Sequence, residues 1–226
     1  MKISFVTDGS VSEFWQDGVT KITRPDLLVF GFNGLGLVSY KKELSGDTEY
    51  FGEVARLSKN LDCTVVCGCD TDTYGVFRHS TVVADKGKIL GVSDATRSIG
   101  ESEFSAGGNL RVYQTSSGRI GVVVGEDLYF PEVLSSLSNC DAELIVCIFK
   151  TLSDIMPQIL IRAYAFSNGI DISLCAKNYF CISDAYGKIA YASAKDMGTF
   201  DLKLTKEYTP VTTLRRGLKK DYGVGR

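Results

Sequence analysis

A chain of 226 residues with 44% hydrophobic and 23% charged content suits one large α/β domain and is short for two. Its net charge of −2 supplies no basic field, which argues against nucleic acid or an anionic membrane as partner. No apolar run approaches the roughly 20 residues that span a bilayer, and the one concentrated basic run, Arg215–Lys220, reads as a solvated tail or a subunit contact.

Met1–Asp8 reads as a short buried strand without the apolar core and cleavage site of a leader peptide, so a cytoplasmic location is expected. Further strand-like runs are Leu27–Phe30, Thr64–Cys67, Ser80–Ala84, Lys88–Val92, Leu110–Tyr113, Ile120–Val124, Leu144–Phe149, Ile170–Ala176, Lys188–Ala192 and Thr199–Leu204. Continuous rather than alternating runs predict strands covered by helices on at least one face. Between them, Gly46–Leu61 has helical spacing, with Tyr50, Val54, Leu57 and Leu61 on one stripe and Asp47 near its start. A second helix is expected over Leu128–Leu137, with Asp127 as N-cap and Pro131 in the first turn. A third, Ser153–Ser167, ends at the cap signal Asn168-Gly169. Gly turns at Asp85–Lys88, Ser116–Gly118 and Asp184–Gly187 predict hairpins. The pattern points to a single domain over residues 1–226, built of two mixed sheets packed together with helices outside.

Seven cysteines is an odd number, and five of them (Cys63, Cys67, Cys147, Cys175, Cys181) lie in apolar runs, which favours reduced core thiols over a disulfide framework. Cys67-Gly68-Cys69 lacks the spacing and the second pair of a zinc site, so no metal is expected, and no cofactor.

The most informative stretch is Gly118–Glu132, where the β-branched run Ile120–Val124 ends at Gly125 and Glu126-Asp127-Leu128-Tyr129-Phe130-Pro131-Glu132 opens a helix. It resembles the nucleophile motif of the nitrilase, or carbon–nitrogen hydrolase, superfamily, in which a cysteine precedes Asp-Leu-x-Phe-Pro-Glu. The resemblance extends through Asp26–Phe30, Val82–Gly91, Glu101–Gly107, Ala142–Val146 and Arg162–Gly169, in the family's order. It implies the α-β-β-α sandwich of that family, which forms four-layer assemblies, and a homodimer or higher homo-oligomer, or pairing with an active relative. The chain is contracted between its first two strands and after Asn178.

The family's mechanism uses a cysteine thiolate, a glutamate base and a lysine that stabilises the oxyanion. Carried over position by position, these fall on Gly125, Phe32 and Ala95. A shift of register does not restore them. There is no glutamate between Glu13 and Glu43, no lysine between Lys88 and Lys150, and no cysteine between Cys69 and Cys140. Losing all three together strands no buried charge, and Phe32 is expected to leave a filled or reshaped apolar pocket. The resemblance thus implies no catalytic triad and offers Phe32, Ala95, Glu103, Gly125, Glu126, Asp127, Phe149 and Lys150 as pocket candidates, with Glu101 as an alternative to Glu103. Asp94 and Arg97 supply charge nearby but lack a thiol to serve. His79 reads as a structural strand residue, Lys150 as solvent-facing, and Cys67 and Cys69 as inert buried thiols rather than substitute nucleophiles. The leading expectation is a member that no longer hydrolyses and instead binds a small amide or acid, or acts as a regulatory or structural subunit. The competing ones are an active carbon–nitrogen hydrolase using displaced residues and a scaffold without a ligand.

Overall fold

A computed structural model describes residues 1–97 and 103–204; Glu101 and the basic run Arg215–Lys220 lie outside them. In chain order the strands are β1 Lys2–Val6, β2 Leu27–Phe30, β3 Leu37–Ser39, β4 Thr64–Thr73, β5 Val76–Asp85, β6 Lys88–Asp94, β7 Val112–Thr115, β8 Gly118–Val124, β9 Leu144–Ile148, β10 Asp171–Ala176, β11 Tyr179–Ser183, β12 Ile189–Ser193 and β13 Met197–Asp201. The α-helices are α1 Val11–Glu13, α2 Tyr40–Ser45, α3 Tyr50–Leu61, α4 Pro131–Asn139 and α5 Met156–Asn168.

One sheet runs β13-β1-β2-β4-β5-β6, with β3 pairing the far end of β4; the other runs β12-β11-β10-β9-β8-β7. Each has a parallel centre (β1, β2 and β4; β8, β9 and β10) and antiparallel flanks. Period-two alternation sorts the side chains. Along β2, Leu27 and Val29 enter the layer between the sheets, where they join Phe5, Val66, Val122 and Ile148. Leu28 and Phe30 face outward to Val54, Leu57 and Leu61 of α3. Phe5 and Phe180 stack within the inter-sheet layer at 4.6 Å. On the far side, Leu134, Leu137, Ile161 and Ala165 of α4 and α5 cover the second sheet. The order is therefore helix, sheet, sheet, helix, as expected. Each fully buried Leu or Val in these stripes contributes about 2 kcal/mol.

Several boundaries differ from the sequence reading, among them the start of α5 at Met156 rather than Ser153. Helix α3 starts at Tyr50 rather than Gly46, because Gly46 (φ 79°) ends α2 in the left-handed region. Asp47 caps nothing in α3; Glu43 of α2 accepts from the backbone N–H groups of Tyr50 and Phe51 at 3.0 and 3.2 Å. Strands β4 and β5, ten residues each, form a hairpin turned by Tyr74 (φ 54°) and Gly75 (φ 89°). Apolar character stops at Cys69 and the ladder continues through Asp70, Thr71 and Asp72. Lastly, Lys177-Asn178 (φ 57° at Asn178) turns β10 directly into β11.

Candidate functional site

Strand β8 delivers Gly125 to a turn at φ +56°, a conformation glycine adopts without Cβ strain. A short 3-10 turn, Gly125–Tyr129, follows, so α4 begins only at Pro131. That delay corrects the role read for Asp127. It lies a turn too early to cap α4, and Phe130 occupies the cap position without a side-chain bond. The buried Asp127 carboxylate reaches across instead. It accepts from Thr96 N–H at 2.7 Å, the Thr96 hydroxyl at 3.1 Å and Arg97 N–H at 2.8 Å. Desolvation pushes its carboxyl above the usual Asp value, against the opposing pull of these hydrogen bonds. The clamp fixes the segment that begins at Ala95 against the turn that begins at Gly125.

Phe32, in the 3-10 turn after β2, is 6% exposed; Ala95, directly after β6, is likewise buried. With Gly125 they line one cavity of about 210 Å³. Glu126, Phe149 and Lys150 line it too, so six of the eight candidate positions converge. The buried Asp127 and the exposed Glu103 are not among the lining residues. The expected filling by Phe32 is corrected: its ring forms a wall, the cavity stays open, and a Cβ on Gly125 would meet nothing within 4 Å.

His79, Asp70 and Phe104, which the sequence reading did not offer as pocket residues, give this cavity its character together with the candidate Lys150. His79 of β5 pairs with Asp70 of β4, its Nδ1 lying 2.6 Å from Asp70 Oδ1. Phe104 stacks on the His79 ring at 3.9 Å and 18°, and Phe32 meets that ring edge-on at 5.4 Å. The 103–107 loop is held there by Ser105 N–H to Phe77 O at 2.8 Å and Gly107 N–H to Ala95 O at 2.7 Å. Lys150, just past β9, bends its ammonium back to 3.5 Å from Asp70 Oδ2 and 5.6 Å from the Phe104 ring centre. His79 is thus a cavity-wall residue rather than a purely structural one. Lys150 is 58% exposed at the mouth but directed inward. Arg97, Ser105 and Thr151 complete the lining. The Arg97 guanidinium is engaged at the surface, 3.2 Å from Glu132 and over the Phe130 ring.

The thiols stand apart. Cys67 and Cys69 are fully buried, and burial raises both far above the ordinary thiol range. Asp94 accepts from the Ser80 hydroxyl at 2.7 Å and is not among the cavity-lining residues. Among the described residues, no group of three or more His, Cys, Asp or Glu side chains could hold a metal ion. The site offers an aromatic slot, a hydrogen-bonded His–Asp pair able to move a proton, an ammonium and a carboxylate, and no thiol.

The family model for carbon–nitrogen hydrolases matches residues 19–196 of this chain. No curated protein sequence matches significantly. Among solved structures, a cysteine-to-serine mutant of the Nesterenkonia AN1 amidase from the nitrilase superfamily superposes with a TM-score of 0.72 at 16% identity, over 90% of this chain and 92% of that one. A carbon–nitrogen hydrolase from Helicobacter pylori G27 gives 0.72 at 15% identity, over 89% of both chains. The cysteine-to-alanine mutant of the Nesterenkonia amidase in complex with butyramide gives 0.72 at 17% identity, over 88% of both.

Proposed function

The chain belongs to the carbon–nitrogen hydrolase family, and on that premise we propose that it is a non-hydrolysing member that binds a small ligand in the cavity beside Gly125. One observation carries the reading. The three positions that the resemblance assigns to base, cation and nucleophile are Phe32, Ala95 and Gly125, and they meet on the wall of one open cavity. A covalent route needs a nucleophile there, and the described lining holds no thiol. Incubation with small amides, nitriles and N-carbamoyl compounds should release no ammonia above buffer, while some small acids or amides raise the melting temperature. Ammonia release that persists in a repurified sample refutes the loss of hydrolysis; a flat thermal response across the whole panel favours a scaffold.

The His79–Asp70 pair supports a second reading, an active hydrolase in which His79 draws a proton from water attacking a bound amide. Its test is turnover in the wild type that His79→Ala abolishes.

Self-association is proposed as well. Ile155 just before α5, Met156, Ile159 and Phe166 within it and the adjoining Tyr186 are large apolar side chains left exposed. Light scattering at the size-exclusion peak should give twice the chain mass, and Ile159→Asp should lower it. A cytoplasmic location is supported by seven unpaired cysteines.

A further inference from the structure

The charges around the cavity are not paired off evenly. Glu126 lines it half-buried, and no hydrogen bond or ion pair engages its carboxylate among the described residues. The Lys150 ammonium has a single polar partner among them, Asp70 at a long 3.5 Å, which leaves N–H donors free. The remaining cation of the lining, Arg97, is occupied by Glu132. Asp70 is shared between His79 and Lys150. One carboxylate and one ammonium therefore line a cavity rich in aromatic rings without full compensation. Phe32, Phe104, Phe149 and the His79 ring line the same cavity.

Size narrows the class. A cavity of roughly 150 Å³ lined by apolar side chains accepts benzene, and this one measures about 210 Å³. It takes a single aromatic ring, with a small polar head left toward the mouth where Lys150 is exposed. A ring in this slot gains offset or edge-to-face contacts with the surrounding rings. A simple organic anion would bring negative charge near Glu126, and a simple organic cation would bring positive charge near Lys150; each would satisfy one group and oppose the other.

We propose that the cavity binds a single-ring aromatic amino acid as its zwitterion, the ring against the aromatic side chains of the lining, the ammonium toward Glu126 and the carboxylate toward Lys150. This rests on the reading of the cavity as a binding site. It adds the ligand class and gives Glu126 and Lys150 separate duties.

Titration calorimetry with four probes tests it: phenylalanine, hydrocinnamate (no ammonium), phenethylamine (no carboxylate) and 3-phenylpropanol (no charge). Phenylalanine should bind the wild type about ten- to a hundredfold tighter than either singly charged probe, the span of one charge-assisted hydrogen bond. Glu126→Gln should weaken phenylalanine and phenethylamine while sparing hydrocinnamate. Lys150→Met should weaken phenylalanine and hydrocinnamate while sparing phenethylamine. The wild-type ranking alone decides the matter if a variant fails to fold. Equal binding of 3-phenylpropanol and phenylalanine overturns the zwitterion assignment and leaves the binding cavity standing. Silence from all four probes overturns the assignment, and silence extending to the small acids and amides overturns the binding reading with it.

Discussion

Gly125 is where sequence, backbone and cavity meet, and substituting it separates two physical causes. At φ +56° any L side chain occupies the left-handed region, which costs about 1–2 kcal/mol. Steric cost is absent, because an added Cβ meets no atom within 4 Å. Gly125→Ala should thus lower stability by about 1–2 kcal/mol, a melting-temperature drop of about 2–8 °C for a chain of this length. Gly68 is the contrast. A Cβ there would lie 2.8 Å from Ile148 Cγ2 and 2.9 Å from the Phe32 backbone, so Gly68→Ala must displace the wall and should cost more. Urea unfolding of the two variants beside the wild type measures both. In a Cys140→Ser background, which removes the exposed native thiol, Gly125→Cys should gain one thiol that iodoacetamide labels quickly in the folded state. A neutral Gly125→Ala would refute the left-handed turn. A loss above about 4 kcal/mol, or an unreactive Gly125→Cys thiol, would refute the open cavity.

Three further outcomes follow from the same geometry. Asp127→Asn should cost about 1–3 kcal/mol, since an amide cannot accept all three hydrogen bonds and presents donors to donors. Because the folded Asp127 carboxyl lies above its ordinary value of 3.8, the stability its protonation contributes is present below that value and is lost as pH rises through the raised folded value. The wild type should therefore gain on Asp127→Asn as pH falls from 7 toward 4 in paired urea titrations, and a gap that narrows would contradict the raised value. Phe32→Glu alone should destabilise by about 3–5 kcal/mol by burying an unpaired charge, and Ala95→Lys added to it should recover part of that loss. Additive destabilisation in the double variant would break the argument that the three positions changed as a set. With Ellman's reagent at neutral pH the folded protein should react once, at Cys140, and the buried Cys63, Cys67, Cys69, Cys147, Cys175 and Cys181 only on unfolding; fast reaction of Cys67 or Cys69 would reopen the reading of a substitute nucleophile.

The sandwich was legible because its causes are local. Runs such as Leu27–Phe30 and Ile120–Val124 are apolar on both faces, and Gly turns at Lys86-Gly87 and Tyr186-Gly187 mark the hairpins. The convergence of Phe32, Ala95 and Gly125 was legible through the resemblance, whose motifs follow strands in a fixed order. The contribution of His79, Asp70 and Phe104 was not. Asp70 and His79 sit where β4 and β5 leave the core, and hydrophobic runs mark only the buried part of a strand. The usable signal was the Tyr74-Gly75 turn, which sets the register that places Asp70 opposite His79. Asp127 was misread as a cap because a residue pattern does not reveal a 3-10 turn placed ahead of the helix. Phe104 reaches the His79 ring from a loop, and nothing in spacing along the chain encodes that contact.

Intact-mass spectrometry of the purified protein, after prolonged incubation with a panel of small amides and with the electrophile acrylamide, tests the absence of thiolate chemistry beside Gly125 most directly. No acyl adduct should form from any amide, and acrylamide should add nowhere beyond the exposed Cys140. An acyl group retained on any residue, mapped by peptide sequencing, would contradict it.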